Sequence, residues 1–414
     1  MKKLFVAVIC LLVLYTGTAL AGTMIAMRGD GTVVFIDDQK EEIVARVTTG
    51  EYGGAMGAMT PDGKKLYVAN NADGYYTVSV IDINNRKLIK NITTGPRPSH
   101  AYVNSDGKYV GVSHKHSENG NIVIAVIDTG GDFVKHRILI DLENDSYKGD
   151  VNVHQGWMGD GKHLLVHNWA DNVTHVIDAD KGKEVARLRH EGNAHQYNVT
   201  NDGKELWVSV DAAEDASGKK VGCGQVVVYD IPAIGSPPST TPKKTLCIKV
   251  NEGESQKGHH TVLTNDGKYA YAANDGFGKG NSINVFDAKT KELVTHITVE
   301  GQGAGHPFMS PDGKYVVVGQ CGGNTLTFID AKTHKVVKNL PVGEGMDTSW
   351  IAFTKDNRKA FVNNRNEDAV YVIDMKSMTV GKKIVTGEKD KMWKSQYHVL
   401  NGPYITYEAV MPID

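Results

Sequence analysis

The amino-acid sequence predicts an all-β protein built from one four-stranded unit used repeatedly, and three observations carry that expectation. An apolar run closing on an acidic residue recurs eight times, as VVFID, VSVID, IAVID, THVID, VVVYD, INVFD, LTFID and VYVID, ending at Asp37, Asp82, Asp128, Asp178, Asp230, Asp287, Asp330 and Asp374. Between these runs stands a hairpin turn, Asp-Gly at Asp62, Asp106, Asp160, Asp202, Asp266 and Asp312, then Asp356-Asn357 and finally Asn401-Gly402. Such pairs accept the positive φ angles of tight hairpins. The third observation is a strand-length run on each side, KKLYVAN leaving the turn and KLIKNIT following the acid. Each unit is then four short strands, which is the blade of a β-propeller.

Taken in chain order, the opening MKKLFVAVICLLVLYTGTALAG has two lysines, an apolar run and the small-residue pattern Ala19-Leu20-Ala21. This predicts a cleaved secretory signal peptide over residues 1–21, with Gly22 beginning the mature protein. Cys10 follows Ile9 rather than a small residue, which argues against a lipid-anchored start there. Residues 22–414 form a single propeller domain without a linker. That domain opens on third and fourth strands, GTVVFID and EEIVARV, and finishes on a first strand, SQYHVLNG. A ring closed by joining the N- and C-terminal strands in one blade accounts for this offset. TMIAM and PYITYEAV compete for the second strand of that closing blade, and the count favours eight blades, with seven as the other ring size.

Length and composition agree with a large folded domain: 414 residues, 40% of them apolar, can bury a sizeable core. Net charge is −2, and −4 once Lys2 and Lys3 are removed, with no basic block to follow a phosphate backbone. Nucleic acid is therefore excluded as a partner. No later apolar stretch is long enough to span a bilayer, and the expected location is the periplasm. Of the cysteines after residue 21, Cys223 and Cys247 lie on runs that can pair as a hairpin and are expected to form a disulfide, leaving Cys321 over.

The segments TPDGKKLYVANNADGYYTVSVID and SPDGKYVVVGQCGGNTLTFID resemble the repeat of the YVTN family of bacterial β-propellers, over essentially the whole mature chain. The resemblance implies the propeller fold. Families in this broad group include the dihaem nitrite reductases, whose propeller holds a modified haem, and the haem-handling propellers of its biosynthesis. They also include the copper-cluster propeller of nitrous oxide reductase and the copper-dependent thiocyanate dehydrogenases. Others are surface or binding proteins.

Position relative to the hairpin turn gives position on the propeller. Counting back six residues from the turn Asp reaches His100, His154, His260 and His306, and counting back seven reaches His195 and His259. Five consecutive units thus carry His at one site, where Met56 and Trp350 occupy the flanking units. With 16 His in 414 residues, coincidence is on the order of one in several thousand by composition. The competing reading is that these rings hydrogen-bond neighbouring blades. His114, His116, His167 and Cys321 fall on the same expected face, whereas His136, His163, His175, His296 and His334 fall elsewhere.

Clustered neutral imidazoles without HExxH, CxxC or many carboxylates suit copper or zinc rather than calcium or magnesium. More than four imply a polynuclear centre, or a macrocycle held by an axial ligand. The leading expectation is therefore a periplasmic copper protein, an oxidoreductase for a small inorganic sulfur or nitrogen compound. His100, His154, His195, His260 and His306 are its expected metal ligands, with His116 and His259 in catalytic, proton-carrying roles. A metal site is not yet a reaction, so enzymatic activity stays open at this level. The chain lacks a cupredoxin domain and a CxxCH haem-attachment motif, so electrons would come from a separate periplasmic electron-transfer protein. The alternatives are a modified-haem-binding propeller, its macrocycle lined by Arg28, Trp157, Trp169, Trp350 and Trp393, and a non-catalytic scaffold using a propeller face.

Overall fold

The acid that closes each repeat ends a strand because its carboxylate turns the chain. Asp37 Oδ1 accepts hydrogen bonds from the Gln39 and Lys40 amides, and Asp287, Asp330 and Asp374 do the same for the two or three residues that follow them. The strands Thr32–Asp37, Thr77–Asp82, Asn121–Asp128, Val173–Asp178, Gln225–Asp230, Ser282–Asp287, Thr325–Asp330 and Ala369–Asp374 accordingly stop at the eight predicted positions. The hairpin turns also form as expected: Gly63 takes φ 69°, and Asn357 takes the same left-handed region at φ 54° where the sequence departs from Gly.

The structure is a computed structural model that describes residues 22–143, 150–151, 154–215, 217, 219–254, 256–275, 279–344, 348, 350–387 and 404–407, with backbone only at 55 and 404–407. Every regular element among these residues is a β-strand, and none is a helix long and apolar enough to cross a membrane. Six sheets have four antiparallel strands each, and an eight-stranded sheet joins two further such units edge to edge. The joint is one parallel bridge between Met56 and His100.

Second and third strands are buried along nearly their whole length, as in Tyr109–His114 and Leu326-containing Thr325–Asp330, while fourth strands such as Lys87–Thr93 alternate in exposure. The cause is face-to-face packing, because a strand covered by neighbouring sheets on both sides needs apolar residues on both sides. Core clusters straddle the sheets. Tyr67, Val78 and Val80 pack on Val110, Val112 and Ala125, and Tyr271, Ile283 and Val285 pack on Val316, Val318 and Ile329. The sheet nearest the N-terminus is covered on both faces too: Ile25, Met27 and Phe35 meet Leu66, Val68 and Ile81, and Met24, Ala26 and Val34 meet Phe361, Val370 and Val372.

Within that sheet the two competing segments take different places. Thr23–Met27 is the second strand, paired with Thr32–Asp37 on one side, and Tyr404–Tyr407 lies on its other side in the innermost position. The SQYHVLNG segment, the Asn401-Gly402 turn, Trp393 and the expected signal peptide lie outside the described residues. Cys223 and Cys247 form the expected disulfide, with Cα atoms 5.5 Å apart, next to a short ribbon of Ala213–Glu214 and Lys220–Val221.

Candidate metal centre

Four of the innermost strands carry a β-bulge near their beginning at or beside their histidines, while His154 directly precedes the regular strand Gln155–Trp157. In Pro98–Val103 the register slips between Pro98 and His100, in Ala194–Val199 between Ala194 and Gln196, in Gly258–Leu263 between Gly258 and Thr261, and in Ala304–Met309 between Ala304 and His306. An extra residue in one strand breaks the alternation of side chains and re-aims them. The bulge also accounts for the two offsets in the sequence, since the surplus residue is Ser99 or Gly305 in two units, His195 itself in another, and in the Gly258 unit the pair His259 and His260 share the slip.

The re-aimed rings touch in series. Centroids of His100 and His154 lie 5.5 Å apart, His154 and His195 4.7 Å, His195 and His259 5.0 Å, His259 and His260 4.5 Å, and His260 and His306 4.3 Å. Trp350 continues the series 4.9 Å beyond His306, and Trp169 lies against both His154 and His195. The five expected ligands and His259 are thus brought together. His116 is not: it is exposed beside Arg97, Asp73 and Asp150, outside the chain of ring contacts.

Burial favours the neutral form of His100, His154, His259, His260 and His306. His100 and His306 are each pushed down to about 3, by burial first and then by Lys115 for the former and Arg365 for the latter. Burial, followed by neighbouring imidazoles, holds His154, His259 and His260 well below the ordinary imidazole value. A neutral imidazole is the form that binds a metal. Isolated imidazole would lose ligand capacity near pH 6.5, and burial moves that limit downward.

Buried polar atoms are nearly always hydrogen-bonded, so the exceptions are informative. Neither ring nitrogen of His195 has a hydrogen-bond partner, nor has Nδ1 of His154. His195 Nε2 lies within ion-pair distance of Asp211 Oδ1, yet the two are not aligned for a hydrogen bond. The donor set beside the arc, imidazole, carboxylate and thiol, suits a transition metal.

His114 and His167, by contrast, have structural work. His114 bonds Val123 O and Thr94 through its two nitrogens, and His167 accepts from the Ala194 amide while its other nitrogen faces Thr174. Four of the five histidines set aside in the sequence have partners elsewhere, Asp160 for His163, Glu184 for His175, Asp180 O for His136 and Tyr271 for His334, while His296 Nε2 is buried without one. Of the aromatic and basic residues considered for a macrocycle, Arg28 is engaged by Asp30 and Asp368, and Trp157 donates to Tyr102 O. Among the described ones, Trp169 and Trp350 adjoin the arc.

Sequence reasoning overlooked Asp211 and Asp275 and so found too few carboxylates. Each is the first residue after its second strand, Glu205–Val210 or Tyr269–Asn274, and the repeat places Lys115, Trp169, Cys321 and Arg365 equivalently. Each of the first five of these positions stands beside the arc residue of its own unit or acts on it: Lys115 on His100, Trp169 by His154, Asp211 by His195, Asp275 by His259 and Cys321 by His306. The signal was present in the repeat register, one residue past each second strand.

No protein-family model matches the chain, and no curated protein matches it. Among solved structures, the chain is similar to the dihydro-haem d1 dehydrogenase NirN in complex with DHE, with a TM-score of 0.69 and 17% identity over 93% of this chain and 74% of that one. It is also similar to hydrazine synthase of Kuenenia stuttgartiensis (TM-score 0.53, 21% identity, 80% and 99% of the two chains) and to AztD from Citrobacter koseri (0.61, 13%, 94% and 98%). These are β-propeller proteins, and at such identities the likeness shows the fold alone: the chain is a β-propeller.

Proposed function

We propose that this chain is an exported copper protein of the YVTN kind, an eight-bladed ring closed between its terminal strands, with a polynuclear site at one mouth of the central channel. His100, His154, His195, His260 and His306 are the ligands in this reading. The observation that carries it is the unbroken series of touching imidazole rings, with both nitrogens of His195 left without a hydrogen bond. Copper follows from imidazole-rich coordination and the stability order of divalent ions. When bound, the metal would polarise a small inorganic sulfur or nitrogen compound, with electrons coming from a separate periplasmic carrier, which makes the protein an oxidoreductase. The chain's own residues would orient that substrate, with His259 as an additional ligand or proton carrier and the Trp169 and Trp350 rings limiting access by water. His116, exposed among Asp73, Arg97 and Asp150, would act only at the approach to the site.

Metal analysis of protein purified from its own periplasm tests this reading. More than one copper per chain is expected, and single alanine changes among the five ligands should lower copper content while the fold stays intact. Retention of a single zinc, or unchanged metal after those substitutions, overturns it.

A second reading, a modified haem bound at the same mouth, is favoured by the likeness to NirN and by the two tryptophans that adjoin the arc. The absorption spectrum of the same preparation separates the two, because an intense porphyrinoid band belongs only to the second.

A further inference from the structure

Gly305 lies at the tightest point of the site. A Cβ there would stand 2.7 Å from His259 Nδ1 and 2.9 Å from the Asp275 Cβ, too close for either, and 3.4 Å from Cys321 Sγ, so the absence of a side chain lets His259 and Asp275 approach beside Cys321. Convergence is close: ligand atoms of His259, His306 and Cys321 all lie within 4.8 Å of one another. Cys321 Sγ is 3.2 Å from His306 Nδ1. Two ligands of one ion with bonds of about 2.3 and 2.0 Å sit about 3.5 Å apart in tetrahedral geometry, so little movement is needed for both to share a metal.

The ring orientations fit the same purpose. Nδ1 of His259 faces the Gly305 carbonyl at 3.3 Å and donates its hydrogen there, which leaves Nε2 with a free lone pair. His195, buried and without a hydrogen bond at either nitrogen, stands next to His259, with ring centroids 5.0 Å apart.

We propose that His259, His306 and Cys321 form a two-imidazole, one-thiolate site that selects monovalent copper. A thiolate favours soft ions, and three donors in one small space suit the low coordination number of the monovalent ion. On binding, the sulfur–metal bond forms as the thiol proton leaves to solvent, and no electron is transferred. This inference rests on reading the arc as a metal site, and it adds the member that sets the oxidation state of the ion held at this end. Cys223 and Cys247 are joined to each other, so any thiolate signal in the exported protein belongs to Cys321.

The test is anaerobic titration of the purified exported protein with monovalent copper against a competing chelator, read by near-ultraviolet thiolate-to-copper absorption and by X-ray absorption at the metal. The wild type is expected to show a sulfur ligand. Cys321→Ser keeps a hydrogen-bonding group toward His306 yet should abolish the thiolate band and weaken binding at least about 10-fold. Gly305→Ala should also lose the band, while His100→Ala, at the far end of the arc, should keep it. A wild-type protein that binds copper with only nitrogen and oxygen neighbours, or Cys321→Ser binding as tightly as wild type, overturns this inference and leaves the imidazole site standing. A protein that takes up no metal overturns both.

Discussion

His195 Nε2 lies 3.1 Å from Asp211 Oδ1, both side chains at most 4% exposed, and the pair makes no hydrogen bond. A buried polar atom left unmade costs about 1–3 kcal/mol, so the metal-free protein carries an unfavourable term at this point. His195→Leu should therefore leave the stability of the metal-free protein unchanged or raise it by about 1 kcal/mol, while reducing metal content. Denaturant midpoints and metal analysis on the same samples check this. A loss of stability with metal content intact would make His195 a structural residue.

Acid should weaken the metal-free fold earlier than carboxylates alone would allow. Burial holds His100 and His306 at about 3 and His114 at about 4, below an ordinary value near 6.5. Between those limits the unfolded chain binds protons that the folded chain does not. Stability is then full above about pH 6.5 and falls as the pH drops toward 3, by up to about 1.4 kcal/mol per pH unit for each such histidine. Melting temperatures measured from pH 7.5 to 4.5 should decline across the lower part of that range. A flat profile down to pH 4.5 would contradict neutral buried rings.

Removing the disulfide should cost stability without touching the arc. Cys223 and Cys247 close a loop of 24 positions, for which chain-entropy arguments give about 3 kcal/mol. The double change Cys223→Ala with Cys247→Ala is expected to lower the denaturation free energy by that order. A midpoint unchanged from wild type would show that the loop is constrained by other contacts.

Ending the chain at residue 403 removes the strand Tyr404–Tyr407 from its partner Thr23–Met27. The exposed edge would offer unpaired backbone groups to other molecules. Lower thermal stability and concentration-dependent association, seen by light scattering, are the expected outcomes. Unaltered unfolding and a monomeric truncated protein would deny that strand a role in closing the ring.

Much of this was legible in the sequence for a simple reason. The Asp that ends each third strand and the Asp-Gly of each turn are needed locally, by the backbone of their own unit, so they recur wherever the unit does. The His arc was legible for the opposite reason, since nothing local requires imidazole at those positions. What was not legible depends on distances between units. That His259 joins the arc is decided by a bulge, which shifts register by one residue and leaves no compositional trace, whereas His116 stands apart in the loop beyond Tyr109–His114. The order of Thr23–Met27 and Tyr404–Tyr407 within one sheet likewise depends on which segment reaches the centre, and both have strand-like composition. Asp211 and Asp275 were visible as letters but not as neighbours of His195 and His259.

Because His195, His259 and His260 are placed at bulges, they stand outside the ladder that binds strand to strand. His195, the surplus residue of its strand, has no register partner on Glu205–Val210. Its side chain can be exchanged without asking any adjoining strand to shift. The propeller thus separates two kinds of information, with the sheets written in residues that cannot change independently and the lining written in residues that can. Such a lining is a natural acceptor for grafted chemistry: a different ion or ligand could be accommodated by rewriting a few bulge positions on an unchanged frame.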